Sequence, residues 1–225
     1  MTAKDGIATL PEIYRRLLDA YGPQGWWPGD SRFEMIAGAI LTQAAAWRNV
    51  ELALANLRAA GIDDWPAVHR IDIDALAELV RPSGYYNAKA RKLKAFAAHM
   101  CEEYGGDLDA MFAAGTDTLR RELLNIYGIG PETADDILLY AAGKPSFVID
   151  AYTIRIMERV GLTPKGRADY GGWQAMFHAA LPADVAMYNE YHALLDRHHK
   201  EACTKNAPRC KGCCLQDVCA TGRAW

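Results

Sequence analysis

The sequence predicts an all-α protein, and three observations carry the prediction. Of its 225 residues 51% are hydrophobic, with Ala and Leu abundant and β-branched runs scarce. Apolar positions recur at the helical spacing in one segment after another. The breaks between segments are short, as in a compact helical fold. A chain of this length makes one large domain or two small ones, and roughly 70% of its unfolded surface can be buried. The net charge is only −3, so contact with a polyanion must rest on a local basic face. No stretch approaches ~18 uninterrupted apolar residues, which argues against a membrane span. The first residues lack the charged-then-apolar pattern of a signal peptide. The expected setting is cytoplasmic and reducing, where clustered cysteines are metal ligands more often than disulfides.

The helices follow in order. Thr9-Leu-Pro-Glu12 is a capping box, and Leu10, Ile13, Leu17 and Leu18 stripe the helix it opens. Residues 21–29 form a loop rich in Gly and Pro that holds Trp26 and Trp27. Ser31-Arg-Phe-Glu34 caps a second helix, apolar nearly all round and so a core helix, that ends at Thr42-Gln43. A third is expected over 46–60, stopped by Gly61, and a shorter one over 74–80, stopped at Pro82-Ser83-Gly84. A long helix over 87–104 carries Lys89, Arg91, Lys92 and Lys94 near its start and ends at Gly105-Gly106. Helices are expected over 116–125 and 133–142, then over 151–160, 172–180 and 184–200. The tail from Cys203 reads as a compact loop.

The helices over 116–125 and 133–142 meet in the stretch around which the chain is organised, Leu124-Asn-Ile126-Tyr-Gly128-Ile129-Gly130-Pro131-Glu-Thr-Ala134. Two glycines let the backbone turn sharply and approach another body closely. Pro131 suits a first helical turn, where its missing N–H has no partner to lose. The hairpin N–H groups and the following helix N-terminus suit an anion such as a phosphate. Taken alone, the same residues also read as a plain corner between helices.

The tail contains Cys203-x6-Cys210-x2-Cys213-x5-Cys219. Four thiolates so close together can wrap one inorganic centre, and iron–sulfur clusters are held by such sets. Zinc favours two paired Cys-x2-Cys knuckles, and a single short pair is present; zinc and disulfides remain open alternatives. Cys214 is read as a bystander that can compete with Cys213, and Cys101 as a helix core residue. From Arg197 onward six Lys/Arg face only Glu201 and Asp217, a local net of +4. Lys205, Arg209 and Lys211 stand between the cysteines, where they can meet phosphate; a solvated charged terminus is the plainer reading.

The hairpin, the segment Val148-Ile-Asp150-Ala-Tyr-Thr-Ile-Arg155 and the cysteine spacing together resemble the helix-hairpin-helix DNA glycosylases related to endonuclease III. The resemblance covers nearly the whole chain. It implies a two-lobed fold with the active-site cleft between the lobes. One lobe is a helical barrel, residues 29–143, carrying the helix-hairpin-helix at 116–142. The other is an iron–sulfur domain of residues 1–28 and 144–225, with its cluster loop at 203–219. It implies a [4Fe–4S] cluster on Cys203, Cys210, Cys213 and Cys219, a monovalent cation at the hairpin, and DNA-backbone contact by Ile126, Gly128, Ile129 and Gly130. The partner implied is double-stranded DNA with a damaged base, bound by a monomer, cytoplasmic or nucleoid-associated in a prokaryote. Asp150 falls where the family carries its catalytic aspartate, eighteen residues after Glu132.

Removing a base requires taking it out of the stack and holding it between aromatic or apolar faces. Trp26, Trp27, Pro28 and Trp47 are candidates and resemble the pocket of the 3-methyladenine branch; ordinary core packing is the alternative for each. Gln43 matches a family position that fills the gap left by the extruded base. At position 132 bifunctional relatives carry a lysine that forms a Schiff base; the carboxylate of Glu132 cannot. Glu132 is then either a solvated first-turn residue or a second carboxylate lining the cleft. Asp150 is both a candidate helix cap and the candidate that stabilises positive charge on the sugar. The leading expectation is a monofunctional glycosylase for alkylated purines. The alternatives are an endonuclease III-type glycosylase/lyase for oxidised pyrimidines and a non-catalytic DNA-binding iron–sulfur protein.

Overall fold

The structure, a computed structural model, describes residues 8–26 and 29–225. Trp27, the second member of the expected aromatic doublet, and Pro28 lie outside the described residues. Twelve α-helices and no strands are found among the described residues. No described helix is long and apolar enough to cross a membrane. The chain divides into two compact units, Pro28–Lys144 and Met1–Trp27 with Pro145–Trp225.

The first unit is built on α2 (Arg32–Leu41), which the Ser31 side chain caps by accepting from the Glu34 N–H. Seven of its ten residues are buried, as an all-round apolar helix requires. Around it lie α3 (Trp47–Ala59), α4 (Trp65–Arg70), α5 (Ile73–Leu79), α6 (Tyr86–Tyr104) and α7 (Leu108–Phe112). Trp65 is the aromatic centre, with Phe33 at 4.9 Å and Phe96 at 4.4 Å between ring centroids. The helix-hairpin-helix closes the unit as α8 (Thr116–Asn125) and α9 (Pro131–Asp136), continued by a π-helical turn at Ile137–Ala141. The wider turn is marked by Ala142 N–H donating to Ile137 O at 2.9 Å.

The second unit packs α1 (Leu10–Tyr21) and α10 (Ala151–Val160) against α12 (Val185–Glu201), with α11 (Tyr170–Ala180) beside α1. Phe147 stacks on Phe177 at 4.1 Å and meets Tyr188 and Tyr191 edge-on, forming an aromatic core.

One helix is added to the sequence reading. The segment Trp65–Arg70 is a helix, opened by Asp64, whose side chain accepts from the Ala67 N–H. Near the start of α6 the lysines are tied to the protein itself. Lys89 is buried and its Nζ donates to Leu41 O at 2.7 Å and Ser83 O at 2.6 Å. Burial first, then the charge of Lys92, lowers its pKa to about 8.

Candidate active site

In the unit Pro28–Lys144 the hairpin is held by polar ties as well as apolar packing. Ile126 and Ile129 turn their side chains into the core, and Ile129 N–H donates to Ile126 O at 3.1 Å. Gly128 has φ +86°, a left-handed conformation, and an added Cβ would meet Lys92 Cγ at 2.3 Å. Glycine is therefore required here both by backbone and by contact. Gln43 reaches the same point. Its Nε2 donates to Gly128 O at 3.1 Å and Thr133 Oγ1 at 2.9 Å, while Lys92 Nζ donates to its Oε1. Arg120 of α8 grips Asp135 of α9 through two parallel bonds of 2.8 and 2.9 Å, with the Asp135 side chain fully buried. Glu132 is exposed in the first turn of α9, which Gly130 opens without a side-chain cap. Trp47 begins α3, packs partly on the core and donates its indole N–H to Glu51 at 3.0 Å.

In the other unit, Asp150 caps α10. Its Oδ1 accepts from the Thr153 N–H at 2.7 Å, and its Oδ2 lies 2.9 Å from His192 Nε2 on α12. Asp150 is 7% exposed and His192 3%. Trp26 lies over His192, ring centroids 5.8 Å apart, so this tryptophan and the acid meet around one imidazole. The hydroxyl of Tyr152 is 3.2 Å from the same Nε2, and the Tyr152 ring stacks on His199 at 4.4 Å.

The backbone leading to Asp150 is extended and buried at Phe147, Val148 and Ile149, with no strand beside it. Its polar groups are met by side chains of α11, spaced four residues apart. Phe147 N–H donates to His178 Nε2 at 3.0 Å, Gln174 Nε2 donates to Phe147 O at 2.8 Å, and Ile149 N–H donates to Tyr170 Oη at 3.3 Å. Helix α11 thus acts as a rail that delivers Asp150 to the start of α10. The sequence signal for it was three polar residues at positions i, i+4 and i+8 of one helix.

The cysteine loop follows α12. Cys203, Cys210, Cys213 and Cys219 line one cavity of about 30 Å³; Cys214 is not among its lining residues. The one set of three or more His, Cys or acidic ligand atoms within 4.8 Å of each other among the described residues is His198, Cys213 and Cys214. The four lining sulfurs are therefore spread wider than a single zinc ion allows, since bonds of about 2.3 Å bring tetrahedral sulfurs to about 4 Å. They fit a larger centre. The Arg159 guanidinium donates to Cys203 Sγ at 3.3 Å, Thr204 O at 2.7 Å and Lys205 O at 2.8 Å, fastening the start of the loop. Arg155, whose buried Nε has no hydrogen-bond partner among the described residues, also places positive charge near Cys203. Positive charge there suits an anionic thiolate-ligated cluster. Burial pushes the Cys203 and Cys210 thiols up, and a hydrogen bond with Cys214, then burial, pushes Cys213 up to about 12. A bound metal centre would be needed to hold these sulfurs as thiolates. Lys205, Arg209 and Lys211 are exposed on this loop.

Comparison with known proteins places this geometry in context. The family described as "HhH-GPD superfamily base excision DNA repair protein" matches residues 37–170. A Methanocaldococcus jannaschii protein described as "Putative DNA repair glycosylase" is 44% identical, over 92% of this chain and 94% of that protein. Endonuclease III of Treponema pallidum is 28% identical over 88% of this chain and 87% of its own length. Among solved structures, H. pylori 3-methyladenine DNA glycosylase bound to 1,N6-ethenoadenine superposes with a TM-score of 0.72 and 29% identity, covering 84% of this chain and 96% of that one. A non-covalent endonuclease III–DNA complex superposes with a TM-score of 0.81 at 18% identity, covering 96% of this chain and 95% of that one.

Proposed function

The chain belongs to the HhH-GPD superfamily of base excision DNA repair proteins and is a DNA repair glycosylase; from that premise we propose that it is monofunctional and removes alkylated purines such as 3-methyladenine from duplex DNA. The observation that carries this reading is a buried carboxylate, Asp150, that shares His192 with Trp26, in a chain whose hairpin offers Glu132 where an amine nucleophile would be needed.

Breaking the N-glycosidic bond leaves positive charge on the sugar as the base departs with the bonding electron pair. The ionised Asp150 stabilises that charge. A water then forms the new bond to C1′ and gives its proton to the carboxylate. The product is an abasic site and a free base. An N3- or N7-alkylated purine is already cationic and leaves as a neutral molecule, so little acid assistance is required. A tryptophan face attracts such a ring, which favours Trp26, with Trp27, Pro28 and Trp47, as the pocket. Glu132 cannot form an imine. Lys92, which lies against Gly128, gives its ammonium group to Gln43, and Lys89 gives its own to Leu41 and Ser83.

The hairpin residues Ile126, Gly128, Ile129 and Gly130 are read as the DNA-backbone grip. The carbonyls of Ile126 and Gly128 each accept one hydrogen bond and each keeps a second lone pair for a monovalent cation. Cys203, Cys210, Cys213 and Cys219 would hold a [4Fe–4S] cluster, which supplies a rigid, redox-capable tie with no open ligand position. The residues it braces, Lys205, Arg209 and Lys211, would meet phosphates.

The test is release of free base from duplexes carrying 3-methyladenine, a hydantoin or thymine glycol, with strand nicking scored with and without alkali. Release from the 3-methyladenine duplex, with nicking only after alkali, is expected. Turnover of thymine glycol alone, or nicking without alkali, contradicts the proposal.

A further inference from the structure

We propose that His192 is a positioning residue for the reaction, holding Asp150 in one orientation through a donor on Oδ2; this rests on the reading of Asp150 as the acting carboxylate. The cap bond from Thr153 N–H to Oδ1, 2.7 Å, is what any N-cap aspartate has. By itself it leaves the carboxylate free to rock, because the terminal torsion of Asp is broad. His192 Nε2 stands 2.9 Å from the second oxygen. With the carboxylate ionised, that nitrogen carries the hydrogen and donates. Two donors on two oxygens fix the plane of the group, and each oxygen retains lone pairs for the sugar cation and the water.

The surroundings distinguish this from a histidine merely satisfied in a core. His192 lies on α12 and Asp150 at the head of α10, so the bond joins the two helices at the acid itself. Its ring is flanked by Trp26 at 5.8 Å and Tyr152 at 5.8 Å, which hold the imidazole plane. The pair is nearly excluded from water, with side chains 4% and 9% exposed, where a hydrogen bond to a carboxylate is strong. A carboxylate misplaced by a fraction of an ångström loses much of its effect on a nearby developing charge.

Single-turnover cleavage and duplex affinity on the 3-methyladenine duplex test this, for His192→Phe, His192→Gln, Asp150→Asn and the His192→Phe/Asp150→Asn double variant. Thermal melting and visible absorbance serve as folding controls. His192→Phe keeps a ring between Trp26 and Tyr152 but removes the donor. It is expected to slow cleavage about 10- to 100-fold while affinity moves less than about threefold. His192→Gln keeps an N–H donor and is expected to fall between wild type and Phe. The double variant is expected to be no slower than Asp150→Asn, since the two act as a unit. Wild-type cleavage by His192→Phe, or losses that multiply in the double variant, would overturn the proposal. If His192→Phe fails the folding controls, His192→Gln decides by its own rate: a loss at retained affinity supports the proposal and a wild-type rate overturns it. An Asp150→Asn variant with full turnover is a separate result, which removes the glycosylase reading of this acid rather than the role of its partner.

Discussion

The side-chain amide of Gln43 donates to the main-chain carbonyl of Gly128 at 3.1 Å, tying the end of α2 to the tip of the hairpin. The same amide reaches Thr133 Oγ1 in the first turn of α9. The side chain read from sequence as a plug for the gap in the duplex is thus engaged with the hairpin.

Gln43→Ala is therefore expected to loosen the hairpin and weaken binding to damaged and undamaged duplexes alike. It should also cost about 1–2 kcal/mol of stability through the lost bonds at Gly128 O and Thr133. Titration of both duplexes by anisotropy, with a chemical melt, checks this. A loss confined to the damaged duplex would assign Gln43 to the extruded-base step instead.

Arg120→Ala removes the bidentate partner of a fully buried carboxylate, Asp135, and with it the tie between α8 and α9. Leaving a buried charge unpaired costs several kcal/mol, and because Arg120 is itself partly exposed the expected loss is about 2–4 kcal/mol. Urea unfolding measures it.

Lys89 makes a pH-dependent contribution. Its folded pKa is lowered to about 8 from 10.5, so the unfolded chain binds the proton more tightly between those values. The stability it contributes is fully present above the unfolded value and is lost as pH falls through the folded one. Wild type should gain stability relative to Lys89→Met as pH rises from about 8 towards about 10.5. Denaturant melts across that range check the sign.

The cysteine loop separates its ligands from its bystander. Cys214→Ser is expected to keep iron and the brown visible absorbance, because Cys214 does not line the shared cavity. Cys210→Ser and Cys219→Ser should lose both. Iron and acid-labile sulfide analysis of the three variants gives the comparison, and loss in Cys214→Ser alone would reassign the ligand set towards His198, Cys213 and Cys214.

What could be read from the chain and what could not divides on physical lines. The helices at Thr116–Asn125 and Ala151–Val160 agree with the expected spans to the residue, because their ends carry breakers or caps. The helix Trp65–Arg70 has no apolar period to announce it, although Asp64 before Trp65-Pro66 is a cap followed by a first-turn proline. Six residues are too few to show a period. The π turn at Ile137–Ala141 was unreadable, since an apolar run fits either helix pitch. Lys89 is buried at a helix start, and nothing local in the sequence marks it off from the other cations there. The partnership of Asp150 with His192 spans forty-two residues of sequence, and nothing local to either residue announces it.

Asp150 is proposed to drive base loss without an amine. Single-turnover cleavage by Asp150→Asn on the duplex that wild type turns over fastest tests it most directly. A fall of about 100-fold or more with affinity for the duplex retained is expected; a rate equal to wild type would show that another group does this work.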